Sequence, residues 1–363
     1  PANTNKNTSS PAISDNPDFF SVHQVCDRKY AMIHYEAPSP AAMEVLEVDQ
    51  TDGQFKSLTS NHVDFSAWGG LWTPCAGSVT PWDSRLGGEE YEPDARKWEA
   101  ANTTTQIDPY LLDMSRYYGL YYPTPAEAVE ALKPYKYGFI YEAKVQYDGT
   151  VSVVKHITLG RVAFELAYVM PDNMTVFGTD DGTNVGFFKF VADAAYDFTS
   201  GTLYAVKLTQ VSAVSGGSFT LTWIKLGSAR AEELLFMADT LVFSDIFEVT
   251  DVVFPDLNSS LACPSGFTGV NTNGYIGKEC LKLKPGMEKQ ASFFETRRYA
   301  AYVGATTEGN KWEGITFDPI RGRIYTALST VREGMEDFAN RGRPSTAWDG
   351  AGPNHVRVAF NPC

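Results

Sequence analysis

A thiol and two adjacent carboxylates fall within one stretch rich in glycine and proline, WTPCAGSVTPWDSRLGGEEY, at residues 72–91. Cys75 offers a soft sulfur that suits iron, copper or zinc, while Glu89 and Glu90 offer hard oxygens that suit calcium. Glycine and proline impose irregular backbone there, and loops of this kind put ligands where a rigid scaffold can aim them. The combination reads as a mixed-metal site, set against the plainer reading of a buried cysteine beside a solvated glutamate pair. Two further acidic positions stand out. Asp180-Asp181-Gly182 is either an ordinary turn or a turn that supplies a ligand. Glu313 lies between Trp312 and Gly314 just before an apolar strand, where a carboxylate is normally avoided. The five histidines, His23, His34, His62, His156 and His355, show no H-x-H or H-E-x-x-H spacing, which argues against a histidine-based zinc site. No G-x-S-x-G elbow is present to supply a serine nucleophile.

The elements that must hold these residues are short strands. YGFIYEAKV, KHITLGRVAFELAYV, MTVFGTD, GFFKFVAD, GTLYAVKL, SFTLTWIKL, GITFDP and RIYTAL are rich in β-branched and aromatic residues. Connections such as YDGT, PDNM, DDGTN and DPIRGR carry turn chemistry. The rhythm predicts an all-β fold, with propeller blades or a large sandwich favoured over βαβ units. No fixed-period repeat is evident, so any blades have diverged. TPAEAVEALKPY (124–135) predicts a short helix inside an insertion at about 91–137. Residues 228–255 read as helical at first and less so later. Lys189 and Lys207 read as outward-facing strand positions. The opening PANTNKNTSSPAISDNPDFF is polar, so residues 1–20 are expected to be a flexible leader at a processed end. Residues 21–363 are treated as one domain.

Hydrophobic residues make up 43% of the chain and aromatics 13%, enough to fill a core and exclude wholesale disorder. Acidic residues outnumber basic ones by 14, which opposes non-specific nucleic-acid binding and favours hard cations. A surface tuned to an extracellular medium explains the same surplus. No run approaches the roughly 20 apolar residues of a membrane-crossing helix. Cys263 and Cys280 bracket a loop with little core of its own, and a disulfide is expected to pin it. N-x-S/T sequons at Asn7, Asn102, Asn173 and Asn258 fit a secreted glycoprotein.

CAGSVTPW followed by GEEY resembles the signature of the PhoX-type alkaline phosphatases, where a C-x-G-x-x-T-P-W stretch leads into paired glutamates. GRVAFELAYVMPDNMTVFGTDDG (160–182), FFKFV (187–191), GTLYAVKL (201–208) and FFETRRYAAYVGATTEGNKWEGITFDP (293–319) are similar to that family's segments in the same order. The resemblance implies a six-bladed β-propeller that hydrolyses small phosphate monoesters outside the cytoplasm, extracellular or periplasmic, with iron and calcium ions (Fe3+ and Ca2+) as cofactors. It implies Cys75 as an iron ligand, with carboxylates from Glu89 or Glu90, Glu165 and Glu313, and with Asp180 or Asp181 on calcium. Lys311 stands where the family often has a phosphate-holding arginine, and Arg297 and Arg298 are alternative phosphate contacts.

The match departs in three places. Gly88 precedes the glutamate pair where the family often has cysteine. Lysine at 311 cannot make a bidentate phosphate clamp. The chain stops at Asn361-Pro362-Cys363, where the family runs on into further strands, so an incomplete propeller is expected. Its open edge would be covered by a further segment or an assembly partner, and Cys363 would pair with Cys26 or with a cysteine elsewhere. Two other function classes follow: an inactive propeller serving as an extracellular structural or binding module, and a calcium-dependent lactonase or diesterase.

Overall fold

A computed structural model describes residues 2–3, 12–13, 16–36, 41–103, 106, 114–115, 118–120, 123–250, 263–272, 278–331, 333–335, 356 and 358. Most of the expected leader, the sequons at Asn7 and Asn258, Cys363, the expected open edge and parts of the insertion lie outside the described residues. The chain divides into two compact units. The first comprises Pro1–His156, Ala163–Tyr168 and Ala238–Leu241; the second comprises Ile157–Val162, Val169–Met237 and Val242–Cys363.

Unit 1 contains, after a two-residue pairing of Ala2–Asn3 with Ala12–Ile13, an antiparallel meander: β1 (Pro17–Val25), β2 (Arg28–Tyr35), β3 (Ala42–Asp49) and β4 (Lys56–His62), in that spatial order. Residues 17–20 of the expected leader thus belong to a strand. β1 alternates, with Phe20 and Val22 exposed and Phe19, Ser21 and His23 turned to the opposite face, as a two-residue period requires. A second antiparallel sheet follows from β5 (Pro74–Val79), β6 (Arg85–Glu89), β7 (Ile140–Val145) and β8 (Val151–Lys155), ordered β8-β7-β6-β5. Tyr30, Met32, Met43, Phe65 and Tyr141 share one core cluster of this unit. Between β6 and β7 run α1 (Ala95–Ala100) and α2 (Pro125–Leu132). The expected helix is α2. Thr124 and Glu127 form a capping box at its start, Pro125 occupies its first turn, and Ala128 and Leu132 bury one face against Trp72 and Trp98.

The stretch KHITLGRVAFELAYV is not one strand. A 3-10 turn at Ile157–Leu159 precedes β9 (Phe164–Val169), and Gly160 sits between them at φ 84°, a left-handed conformation that glycine adopts without Cβ strain.

In unit 2, β10 (Thr175–Asp180), β12 (Phe187–Ala194), β13 (Asp197–Ser212) and β14 (Ser218–Arg230) pair antiparallel in that order. Between β10 and β12, β11 (Thr183–Val185) pairs instead with β18 (Gly309–Asn310). Lys189 is not simply outward-facing: its ammonium lies 4.7 Å from the Tyr204 ring centroid and 4.6 Å from that of Trp223. The segment 228–255 divides, with α3 (Ala231–Ala238), one turn at Phe243–Ile246 and β15 (Phe247–Thr250); residues 251–255 lie outside the described residues. β15, β17 (Lys278–Leu283) and β16 (Thr268–Asn271) form a small sheet, followed by α4 (Glu288–Phe294) and α5 (Thr296–Tyr302). A hairpin of β19 (Trp312–Asp318) and β20 (Arg323–Leu328) follows.

Cys263 and Cys280 are disulfide-bonded, as expected, across a sequence separation of 17. Closing a loop of that length limits the unfolded chain by roughly 3 kcal/mol. Reduction is therefore expected to lower the unfolding free energy by about that amount, read from urea melts with and without dithiothreitol.

Candidate metal centre

Cys75 enters on β5, 6% exposed, and its surroundings are acidic. Its Sγ lies 2.9 Å from Asp18 Oδ2 on β1 and 3.3 Å from Glu165 Oε2 on β9. Two triads of donor atoms share the sulfur: Asp18, Glu36 and Cys75, and Cys75, Glu90 and Glu165, each with its atoms within 4.8 Å of one another. Burial pushes the Cys75 thiol far above its usual range, and the Glu90, Glu165 and Asp18 carboxylates push it further. A multivalent cation reverses that logic, because it favours the thiolate and neutralises the carboxylates together. One soft sulfur with four hard oxygens fits a transition metal at Cys75 beside a calcium-like ion. His34, fully buried, donates from Nδ1 to the Cys75 carbonyl over 3.0 Å and so fixes the β5 backbone there. Burial, and then the Arg85 charge, hold its imidazole well below the usual histidine range, so it stays neutral.

The adjacent glutamates have different surroundings. Glu89 is the internal anion of a buried pair, its Oε1 2.7 Å from Lys155 Nζ with side-chain exposures of 0% and 2%. It also accepts from the backbone N–H groups of Trp72 at 2.9 Å, Gly138 at 2.9 Å and Phe139 at 3.2 Å. Glu90, one residue on and also buried, is the one that joins Cys75 and Glu165. Neighbouring strand positions face opposite ways, so one glutamate of such a pair can reach the cluster while the other anchors the sheet.

Gly88 has a packing reason of its own. A Cβ there would lie 2.1 Å from the Phe164 carbonyl oxygen, next to Glu165. Gly88→Ala is expected to force β6 and β9 apart at a cost of roughly 1–3 kcal/mol. It should also lower the number of metal ions retained, a pairing of effects that calorimetry and metal analysis of one sample would check.

The remaining sequence-derived candidates lie in unit 2 as a second cluster. Arg297 binds Asp180 through both Nε, at 2.7 Å, and Nη2, and Gly186 N–H donates to the same carboxylate at 3.2 Å. Arg298 reaches Glu279 at 2.6 Å and Glu295 at 2.8 Å. Lys311 contacts Asp181 at 2.7 Å and Glu313 at 3.3 Å, and Ser329 Oγ donates to Glu313 at 2.6 Å. Of the three cationic side chains Lys311 is the most open, 41% exposed against 10% and 11% for Arg297 and Arg298. Burial works to lower the Lys311 ammonium, but Asp181 and then Glu313 outweigh it, leaving it raised and charged. Its backbone is left-handed, φ 46°, held by its N–H to the Gly182 carbonyl at 2.7 Å and by Ser329 N–H to its own carbonyl at 3.1 Å. A non-glycine residue kept in that region marks a position whose surroundings over-determine it, a frequent property of functional sites. Asp181 Oδ1 is buried without a hydrogen-bond partner.

Sequence reasoning missed Asp18 and Glu36, and the Glu279 and Glu295 partners of Arg298. The alternation of PDFFSVHQV was the available signal for a strand starting inside the expected leader, but Asp18 stands at its exposed start, where the pairing is irregular between Pro17 and Phe20, and nothing in the pattern pointed it to Cys75.

Successive antiparallel sheets carrying a carboxylate-and-thiol cluster define an all-β protein of the propeller class. The family model for alkaline phosphatase PhoX matches residues 31–350, and the chain belongs to that family. Among solved structures it is similar to Pseudomonas fluorescens PhoX in complex with vanadate, a transition state analogue, with 18% identity and a TM-score of 0.56. The match covers 90% of this chain and 60% of that one, so this chain spans less than two thirds of that relative's length. The likeness gives the chain the β-propeller fold of that protein. A Bacteroides uniformis protein provisionally named a 6-phosphogluconolactonase matches with 13% identity over 82% of this chain and 74% of that one, at a TM-score of 0.25. A search of the curated proteins returned no match.

Proposed function

We propose that the chain serves metal-dependent hydrolysis of phosphate monoesters, with Cys75, Glu90 and Glu165 holding iron and with Asp18 and Glu36 holding calcium beside it. The observation that carries this reading is the convergence of four carboxylates on one buried thiol in a chain of the PhoX family. When bound, such cations neutralise the ester dianion and polarise its phosphorus–oxygen bonds. The chain's own residues supply the rest. Glu89 and Lys155 tie the end of β6 to β8, and Glu89 also holds Gly138 and Phe139 at the close of the insertion, so that Glu90 projects in a fixed direction. Within unit 2, taken by itself, Lys311 is the candidate anion contact: its charge is secured by Asp181 and Glu313, and it is the most open cation of that cluster. Asp181 and Glu313 are the further hard-cation ligands of this proposal. Arg297 acts on Asp180, which it orients, and Arg298 on Glu279 and Glu295. The Cys263–Cys280 disulfide supports an oxidising, exported location.

Phosphate release from p-nitrophenyl phosphate, followed before and after chelation, tests the reading. Turnover abolished by chelation and restored by iron with calcium is the expected result. A folded chain that binds calcium alone and releases no phosphate would leave the inactive propeller as the better account.

A further inference from the structure

A second constellation of reactive side chains lies in unit 1, outside the metal centre. Ser21 Oγ is 2.7 Å from His23 Nε2, and His23 Nδ1 is 3.1 Å from Asp83 Oδ1. A carboxylate can only accept, so Nδ1 carries the proton; Nε2 is then the basic nitrogen, placed to accept from the serine hydroxyl. That is the atom order of a serine–histidine–aspartate triad, which is recognised by geometry and role and not by position in the chain. Ser21 and His23 are two residues apart on β1 and therefore share a face. Asp83 comes from the turn between β5 and β6, where its N–H donates to the Thr80 carbonyl at 3.0 Å.

The exposures suit the roles. His23 is 2% exposed, the Asp83 side chain is 53% exposed, and Ser21 is half-buried. Burial and then the Arg85 charge lower the His23 imidazole against the opposing pull of Asp83, so the base is neutral near pH 7. Arg85 is the cation on this face of β1. It is wholly buried, its Nη1 donates to the Met32 carbonyl at 3.1 Å, and its Nε and Nη2 have no hydrogen-bond partner. Its guanidinium stacks over Phe19 at 4.6 Å and its charge acts on His23, and these are the two residues flanking Ser21 on that face of β1. A buried cation with two unspent donors is costly to maintain unless an anion is formed beside it.

We propose that Ser21, His23 and Asp83 form a nucleophilic site that cleaves short carboxylic esters, separate from the metal centre. In acylation the Ser21 Oγ–carbon bond forms while the hydroxyl proton passes to His23 Nε2. The charge on the carbonyl oxygen is met by Arg85. The ester carbon–oxygen bond then breaks, and the departing alkoxide takes the proton from Nε2. Water, losing a proton to the same nitrogen, attacks the acyl carbon; the Oγ–carbon bond breaks and Ser21 recovers its proton. Asp83 is a positioning residue that holds the imidazole in the required tautomer.

The test uses the full chain with p-nitrophenyl acetate as substrate and a fluorophosphonate as trap, with peptide mass mapping of the adduct. The expected result is an adduct on Ser21, absent in Ser21→Ala, with labelling about 100-fold slower in His23→Gln, within the range general-base catalysis provides. EDTA should leave the labelling rate unchanged, which separates this site from hydrolysis at the metal centre and from failure of the phosphatase reading. Should His23→Gln not fold, the half-exposed Asp83 provides the second arm. Asp83→Ala should slow labelling and Asp83→Glu restore it, a rescue that a merely structural role would not give. A native chain without an adduct on Ser21, or one labelled equally fast with and without His23 and Asp83, overturns the proposal.

Discussion

Cys75→Ser is expected to lose its transition metal while remaining folded, and to lose at least about 100-fold in phosphate release. The magnitude follows from ligand chemistry: groups that merely orient metal ligands cost 10–100-fold when removed, and Cys75 is the atom shared by both donor triads. Serine keeps the volume but replaces a soft donor by a hydroxyl that binds iron or zinc poorly. Folding should survive, because the residue's structural contribution is mainly through its backbone carbonyl, which His34 holds. Metal analysis beside a p-nitrophenyl phosphate assay is the measurement. Unchanged iron content in the variant would remove Cys75 from the centre and leave the four carboxylates to be explained as a calcium site alone.

Lys155→Met is expected to cost about 3 kcal/mol of stability or more, the lower part of the range for breaking a buried ion pair. The substitution removes the ammonium from Glu89 Oε1 and also from above the Tyr137 ring, 4.9 Å away, while three backbone N–H groups remain on the carboxylate. Those three bonds are the reason to place the loss at the lower end. Lys155→Met combined with Glu89→Gln should recover part of it, since no buried charge is then left alone. Urea unfolding of the four proteins measures the coupling, and strictly additive losses would show that the two side chains act separately.

The fold was largely legible because its signals are local: alternation and turn chemistry mark the strands, and Thr124 to Glu127 mark the start of α2. What alternation does not encode is where left-handed glycines interrupt it, as Gly160 does before β9. The candidate metal centre was half legible. Cys75, Glu90 and Glu165 stand in family-like segments, whereas Asp18 sits in a polar opening that reads as a leader and Glu36 is one acid after a strand. Both reach the thiol only through the fold. The choice between Glu89 and Glu90 was likewise beyond the sequence, because it turns on Lys155, far along the chain. Arg297 and Arg298 read as phosphate contacts because Asp180 and Glu279, which hold them, come from other strands, although Glu295, the second partner of Arg298, is only three residues away.

The two donor triads meet only at the Cys75 sulfur, and they are anchored differently. Glu90 is buried and directly follows β6, an interior strand of its sheet, whereas Asp18 is exposed on β1, a strand at the margin of its sheet. Strands of that kind open locally without unfolding the rest of a unit. The consequence is a difference in residence time. An ion held on the Asp18–Glu36 side is expected to leave whenever β1 frays, while one held on the Glu90–Glu165 side would wait for a larger opening. Isotope exchange should therefore divide the bound metal into a quickly replaced fraction, keeping pace with amide exchange along β1, and a slowly replaced one.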